Sequence, residues 1–249
     1  MNPESKKIIS VCGKGGVGKT AFSALLARGL LDLSVSPLLL IDADPAGGLF
    51  SALGEKPDKT LAGARDRLIA TARSGKETEK ERLASDLDYL VMEALVERPG
   101  ASLLAMGRME AKGCFCPANT LLREAIDVLS DPFALVLIDA EAGLEQISRQ
   151  VTRSVTDVIV LSDGSVRSLE TIRQIADMVA GARLLAVGNR VEPGANLELP
   201  ENVALIGFMP EDEELRAFDK KARPLWDLPF ENPARAAARA IAERILGEK

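Results

Sequence analysis

Gly13-Lys14-Gly15-Gly16-Val17-Gly18-Lys19-Thr20 decides the fold of this chain. It fits G-x-x-x-x-G-K-[ST], the loop whose backbone N–H groups surround the phosphates of a nucleotide. In such a loop Lys19 reaches the β- and γ-phosphates, and the Thr20 hydroxyl ligates Mg²⁺. Both flanks suit it. Lys7-Ile8-Ile9-Ser10-Val11-Cys12 predicts a buried strand, and Ala21 to Arg28 predicts a helix. Phosphates would then sit at a helix N-terminus, where unpaired amides and the dipole favour anions. The expected phosphate-contacting residues are Gly15, Gly16, Val17, Gly18, Lys19, Thr20 and Ala21. The ligand expected there is a nucleoside triphosphate with Mg²⁺; a glycine-rich turn without a ligand is the alternative.

At 249 residues, with 47% apolar and 27% charged residues, the chain suits one α/β domain, 1–249, with a sizeable core. A net charge of −6 argues against nucleic-acid binding by a broadly basic surface. No apolar run approaches the length of a membrane span, and Met1 to Ser5 lacks signal-peptide character, so a cytoplasmic protein is expected. With no histidine and three cysteines, Cys12, Cys114 and Cys116, a transition-metal site would need thiolates, carboxylates, amides or water.

Pro37-Leu38-Leu39-Leu40-Ile41 and Ala134-Leu135-Val136-Leu137-Ile138 are continuous apolar runs, each ending in an acid: Asp42-Ala43-Asp44-Pro45 and Asp139. Such runs suit parallel strands buried on both faces, whose C-terminal ends are where open α/β sheets place ligands. A strand is also expected at Asp88 to Glu93, at Ala101 to Met106, at Asp157 to Leu161, at Leu184 to Gly188 and from Val203. Ser74 to Arg82 is dominated by charge and carries no readable motif. Strands alternating with helices predict a doubly wound α/β domain with a mainly parallel sheet flanked by helices, a P-loop NTPase. The C-terminal helix from Pro233 to Leu246 has a thin apolar stripe, and packing back on the domain is its expected role.

Gly113-Cys114-Phe115-Cys116-Pro117 precedes a predicted helix, a position that favours thiolate. Cysteines at i and i+2 supply half of a four-coordinate site, which a symmetric dimer could complete with four sulfurs. Two structural cysteines or a redox pair are the alternatives.

The second lysine, Lys14, makes the loop resemble the deviant Walker A loop of the MinD/ParA-like ATPases. That resemblance implies a homodimer in which Lys14 reaches across to the partner's nucleotide. It implies that Asp44 orients or deprotonates the attacking water, that Asp42 and Asp139 lie near Mg²⁺, and that Asn189 and Pro210 contact adenine. Lys14, Lys19 and Asp44 are thus the expected catalytic set for hydrolysis of ATP. Met106-Gly107-Arg108, the C-x-C and Asp139-Ala140-Glu141-Ala142-Gly143 further resemble the CooC family, nickel-insertion ATPases that mature carbon monoxide dehydrogenase. This implies that Cys114 and Cys116 of two subunits hold one Ni²⁺, or Zn²⁺, at the dimer interface. Two departures from that family stand out: Gln146 stands where a histidine often follows the switch II glutamate, and the segment before Gly113 is poorer in proline and glycine than usual. An Fe–S carrier ATPase and a MinD/ParA-like positioning ATPase are the competing readings.

Overall fold

The computed structural model describes residues 6–64, 66–67, 91–108, 126, 129–140 and 155–247. The apolar runs form strands β1 (Lys7–Gly13), β2 (Leu38–Asp42), β3 (Val96–Arg98), β4 (Ala101–Ala105), β5 (Leu135–Asp139), β6 (Asp157–Ser162), β7 (Arg183–Asn189) and β8 (Val203–Met209). They join in one eight-stranded sheet of order β3-β4-β2-β5-β1-β6-β7-β8. Every neighbouring pair is parallel except the β3–β4 hairpin at one edge. Every residue of β2, β5 and β6 is buried, as apolar sequence without alternation requires of strands covered on both faces. The mainly parallel, doubly wound α/β fold expected of the sequence is the fold observed.

One expected strand is not formed. Val91 to Glu93, the described part of the predicted strand at 88–93, is helical. Val91 and Ala94 are buried while Met92 and Glu93 are exposed. That is the i, i+3 spacing of a helix face, and it overrides the β-branched start of the segment.

The described elements also include helices α1 (Lys19–Asp32), α2 (Gly48–Ala52), α3 (Val166–Met178), α4 (Glu213–Lys220) and α5 (Pro233–Gly247), with a short 3₁₀ turn at Leu225–Asp227. On one face of the sheet Phe22, Leu25 and Leu26 of α1 share a core with Ala238, Ile241 and Ile245 of α5. On the other, Ile172 and Ile175 of α3 pack with Val158 and Val160 of β6. The apolar stripe of α5 therefore faces the domain. α1 and α5 approach so closely at Gly29 that a Cβ there would lie 2.9 Å from the Cα of Arg239. Arg244 of α5 also donates to the carbonyl of Ile206 on β8 at 2.8 Å. No helix among the described residues is long and apolar enough to cross a membrane.

The strand order positions the site. From β1 the chain moves outward to β2 and β4, returns through β5 between β2 and β1, and then continues through β6, β7 and β8 on the other side. The C-terminal ends of β2, β5, β1 and β6 thus lie side by side, with Asp42 opposite Asp139 and Val11 opposite Asp139 in register.

Candidate functional site

The glycine-rich loop leaves the end of β1 and enters α1 at this edge. Gly18 precedes the helix at φ 93°, a left-handed conformation that L side chains rarely adopt. A Cβ at Gly18 would lie 2.5 Å from the Asn189 amide nitrogen. No side chain caps the start of α1, so its first amides face the loop. Gly15 and Gly16 are exposed at the loop's tip, and Val17 is fully buried beneath it. Lys19 is buried, its ammonium donating to the carbonyls of Gly13 at 3.2 Å and Lys14 at 3.5 Å. The loop is thus folded around its own lysine in a form that can present N–H groups to an anion.

Two buried acids lie beside it. Asp42, with no exposed surface, accepts the backbone N–H of Leu49 at 2.8 Å, of Phe50 at 3.2 Å and of Asp44 at 3.2 Å. These bonds fold the chain after β2 back into α2. Asp139 accepts the Ser23 hydroxyl at 2.9 Å and is also hydrogen-bonded by Thr20. Burial pushes the Asp42 carboxyl up to about 7, against the pull of the backbone bonds and with help from the Asp139 charge. Burial likewise raises Asp139 to about 6, against the hydroxyls of Thr20 and Ser23 and the Lys19 charge. Thr20, Asp42 and Asp139 are an all-oxygen donor set, and two crowded carboxylates gain from a hard dication. The chemistry fits Mg²⁺.

These shifts predict a pH dependence. Both carboxyls bind a proton more tightly in the folded chain than in the unfolded one. Their contribution to stability is complete below the ordinary carboxylate range and is lost as pH rises through about 6 to 7. In metal-free, nucleotide-free protein, Asp139→Asn should therefore melt progressively higher relative to wild type as pH rises from about 4 to about 8. A difference in melting temperature that stays constant or shrinks over that range contradicts the assignment.

Asp44 is half-buried and its carboxylate accepts the Ala46 N–H at 2.8 Å. It lines a cleft of about 630 Å³ together with Gly16, Gly18, Lys19, Thr20 and Ala21. A second cleft, of about 260 Å³, runs from Gly16, Gly18 and Ala21 to Asn189, Met209 and Pro210. Its apolar floor of Phe22, Leu25 and Met209 can take a flat heterocycle. The Asn189 amide donates to the Val17 carbonyl at 2.6 Å, so it braces the loop while bordering this cleft. Lys14 takes a different direction from the other loop residues. Its ammonium lies 2.9 Å from Asp163 and 3.2 Å from the Ser165 hydroxyl, in the turn between β6 and α3. Burial would raise the Asp163 carboxyl, but the bonds from Ser165 and Lys14 outweigh it and hold the group well below the usual range.

Three residues here were not anticipated. Arg190 (φ 60°) donates to the Gly16 carbonyl at 2.8 Å, Asp219 borders both clefts and Arg223 borders the larger. The Asn-Arg pair after an apolar strand was a usable signal for Arg190; the other two carry no local motif. Cys114 and Cys116, with Glu141, Gly143 and Gln146, lie outside the described residues. Cys12 is buried on β1 with its thiol 3.6 Å from the Ile159 carbonyl, and burial pushes it up to about 12, against the Lys19 charge. It is an inert core residue.

A family model described as an AAA domain matches residues 5–185. An ATP-binding protein of Methanocaldococcus jannaschii is 39% identical over 97% of this chain and 99% of its own length. The carbon monoxide dehydrogenase accessory protein CooC of Rhodospirillum rubrum is 30% identical, covering 95% of this chain and 97% of that one. Among solved structures, the septum site-determining protein MinD of Pyrococcus horikoshii, complexed with Mg-ADP, superposes with a TM-score of 0.65 at 21% identity, covering 96% of this chain and 95% of that one. The chain therefore belongs to the AAA-domain family of P-loop ATPases and has the MinD/ParA-like fold.

Proposed function

We propose that this chain is a dimerising Mg-ATPase that couples ATP binding and hydrolysis to delivery of nickel into a client metalloenzyme, carbon monoxide dehydrogenase. The observation that carries the reading is the likeness to the CooC accessory protein along 95% of this chain. The C-x-C at Cys114 and Cys116 supplies thiolates suited to the cargo. Support for the ATPase half is the convergence of Lys19, Thr20, Asp42, Asp44 and Asp139 at one sheet edge.

In this reading the triphosphate lies on the loop amides, with Lys19 on the β- and γ-phosphates. Thr20, Asp42 and Asp139 would hold Mg²⁺, which when bound would neutralise charge on the phosphates. Asn189 and Pro210 border the base. Asp44 orients a water, or takes its proton, as the water's oxygen attacks the γ-phosphorus. The bond between that phosphorus and the β–γ bridging oxygen breaks, giving ADP and phosphate. Lys14 of each subunit reaches the other subunit's phosphates, so ATP draws two chains together. Cys114 and Cys116 from both then bind one Ni²⁺, with Zn²⁺ as a competing ion. Hydrolysis loosens the pair and releases the ion. Such coupling is reciprocal: ATP must change nickel affinity by the factor by which nickel changes ATP affinity.

The test is an anaerobic Ni²⁺ titration of metal-free protein with ADP or a non-hydrolysable ATP analogue, beside Cys114→Ser/Cys116→Ser. Thiolate charge-transfer absorbance and mass in solution are followed together. The expected result is one Ni²⁺ per dimer, nucleotide-dependent and lost in the double variant. Binding that ignores the cysteines, or ignores nucleotide, rules the nickel mechanism out.

A further inference from the structure

The two clefts adjoin at the loop, sharing Gly16, Gly18, Ala21 and Asp219. A ligand with a flat base and an anionic tail would lie along them, base toward Pro210 and tail toward Lys19 and Thr20. Arg223 lines the cleft that holds Lys19, Thr20 and Asp44 and is absent from the lining of the other.

The segment that carries it is firmly held. The Arg223 N–H donates to the Phe218 carbonyl at 2.9 Å, and its guanidinium lies 3.8 Å from the centroid of the buried Phe218 ring. Ala222 before it is in the left-handed region at φ 49°. Leu225 after it is buried, and the Trp226 indole donates to the Ala24 carbonyl of α1 at 2.8 Å. The arginine is thereby tied to the same helix whose N-terminus receives the loop. A guanidinium held over a ring face still has N–H groups to offer an anion. No carboxylate forms an ion pair with Arg223 among the described residues. Arg190, by contrast, is committed to the Gly16 carbonyl. The cleft also carries Asp44 and Asp219, whose charges oppose a polyphosphate. Arg223 is a cation held in the same lining, without an ion pair among the described residues.

We infer that Arg223 is a nucleotide-contacting residue, its guanidinium meeting the phosphate chain of a nucleotide held on the glycine-rich loop. The inference rests on the nucleotide reading of the clefts and adds to it a charged contact from the C-terminal part of the chain.

The experiment is calorimetric titration of the full chain, as wild type, Arg223→Ala and Arg223→Lys, with Mg-ADP, Mg-ATP and adenosine at two salt concentrations. Thermal melts run alongside. Arg223→Ala should weaken ADP and ATP about tenfold, as loss of one hydrogen-bonded charge does, with adenosine unchanged and a shallower salt dependence. Arg223→Lys, which keeps the charge but not the planar stack, should recover part of the loss. ADP and ATP affinities equal to wild type in an Arg223→Ala protein of unchanged melting temperature overturn the inference and leave the nucleotide reading standing. So does an equal loss for adenosine and ADP. A wild-type protein that binds neither ADP nor ATP overturns both.

Discussion

Asp44→Asn is expected to bind ATP within about threefold of wild type while hydrolysing it at least about 100-fold more slowly, the range in which a positioned acid or base acts. The substitution is chosen from the local geometry. Asp44 accepts the Ala46 N–H through one carboxylate oxygen, and an asparagine keeps that acceptor and with it the turn into α2. What it loses is the charge and the capacity to take a proton. The neighbouring acids do not replace it. Asp42 and Asp139 are both buried, and neither borders the cleft. Asp44 instead borders the open cleft with Lys19 and Thr20. Single-turnover hydrolysis with saturating ATP, beside equilibrium ATP binding, separates the two effects. A variant that loses affinity and rate in equal measure would make Asp44 a binding residue, and one with undiminished rate would remove it from the chemistry.

The central sheet was legible because Leu38 to Ile41, Leu135 to Ile138 and Val158 to Leu161 are apolar at every position. Only a strand covered on both faces needs that pattern. The loop was legible because its chemistry is local: eight consecutive residues hold its glycines and its lysines. The edge strand β3 was not, since Glu97 and Arg98 are exposed and three residues carry no period. Val91 to Glu93 was not, because a short apolar run such as Leu90-Val91-Met92 looks alike in strand and helix until burial reveals the spacing. At the site, Asp219 and Arg223 escaped notice because more than 190 residues separate them from the loop they face. Only the outward run from β6 to β8 brings the segment after α4, with Trp226, back against α1. Lys14 was legible as an unusual loop lysine, but its partner was not: Asp163 lies 149 residues away, and the β1–β6 pairing makes them neighbours.

That pairing yields two substitutions expected to act in opposite directions. Lys14→Ala should abolish ATP-dependent dimerisation and lower turnover by about 100-fold or more, the scale of a cation supplied in trans to a phosphoryl group. Asp163→Asn should do the reverse and raise dimer affinity in ATP by about two- to fivefold. In the single chain the Lys14 ammonium is engaged 2.9 Å from Asp163 and 3.2 Å from Ser165, so it must leave both before it can reach another subunit's phosphates. The Lys14 and Asp163 side chains are 32% and 27% exposed, so the pair is worth no more than about 1 kcal/mol. Releasing it yields a modest gain, whereas deleting the lysine removes the contact altogether. Asparagine at 163 keeps an oxygen for the Ser165 N–H, which bonds the carboxylate at 3.1 Å, so the cap of α3 is left in place. Sedimentation of both variants with ADP and with a non-hydrolysable ATP analogue reads the outcome. Asp163→Asn dimerising more weakly than wild type would mean that Asp163 guides Lys14 toward the interface rather than withholding it. Lys14→Ala dimerising normally would remove the lysine from the interface altogether.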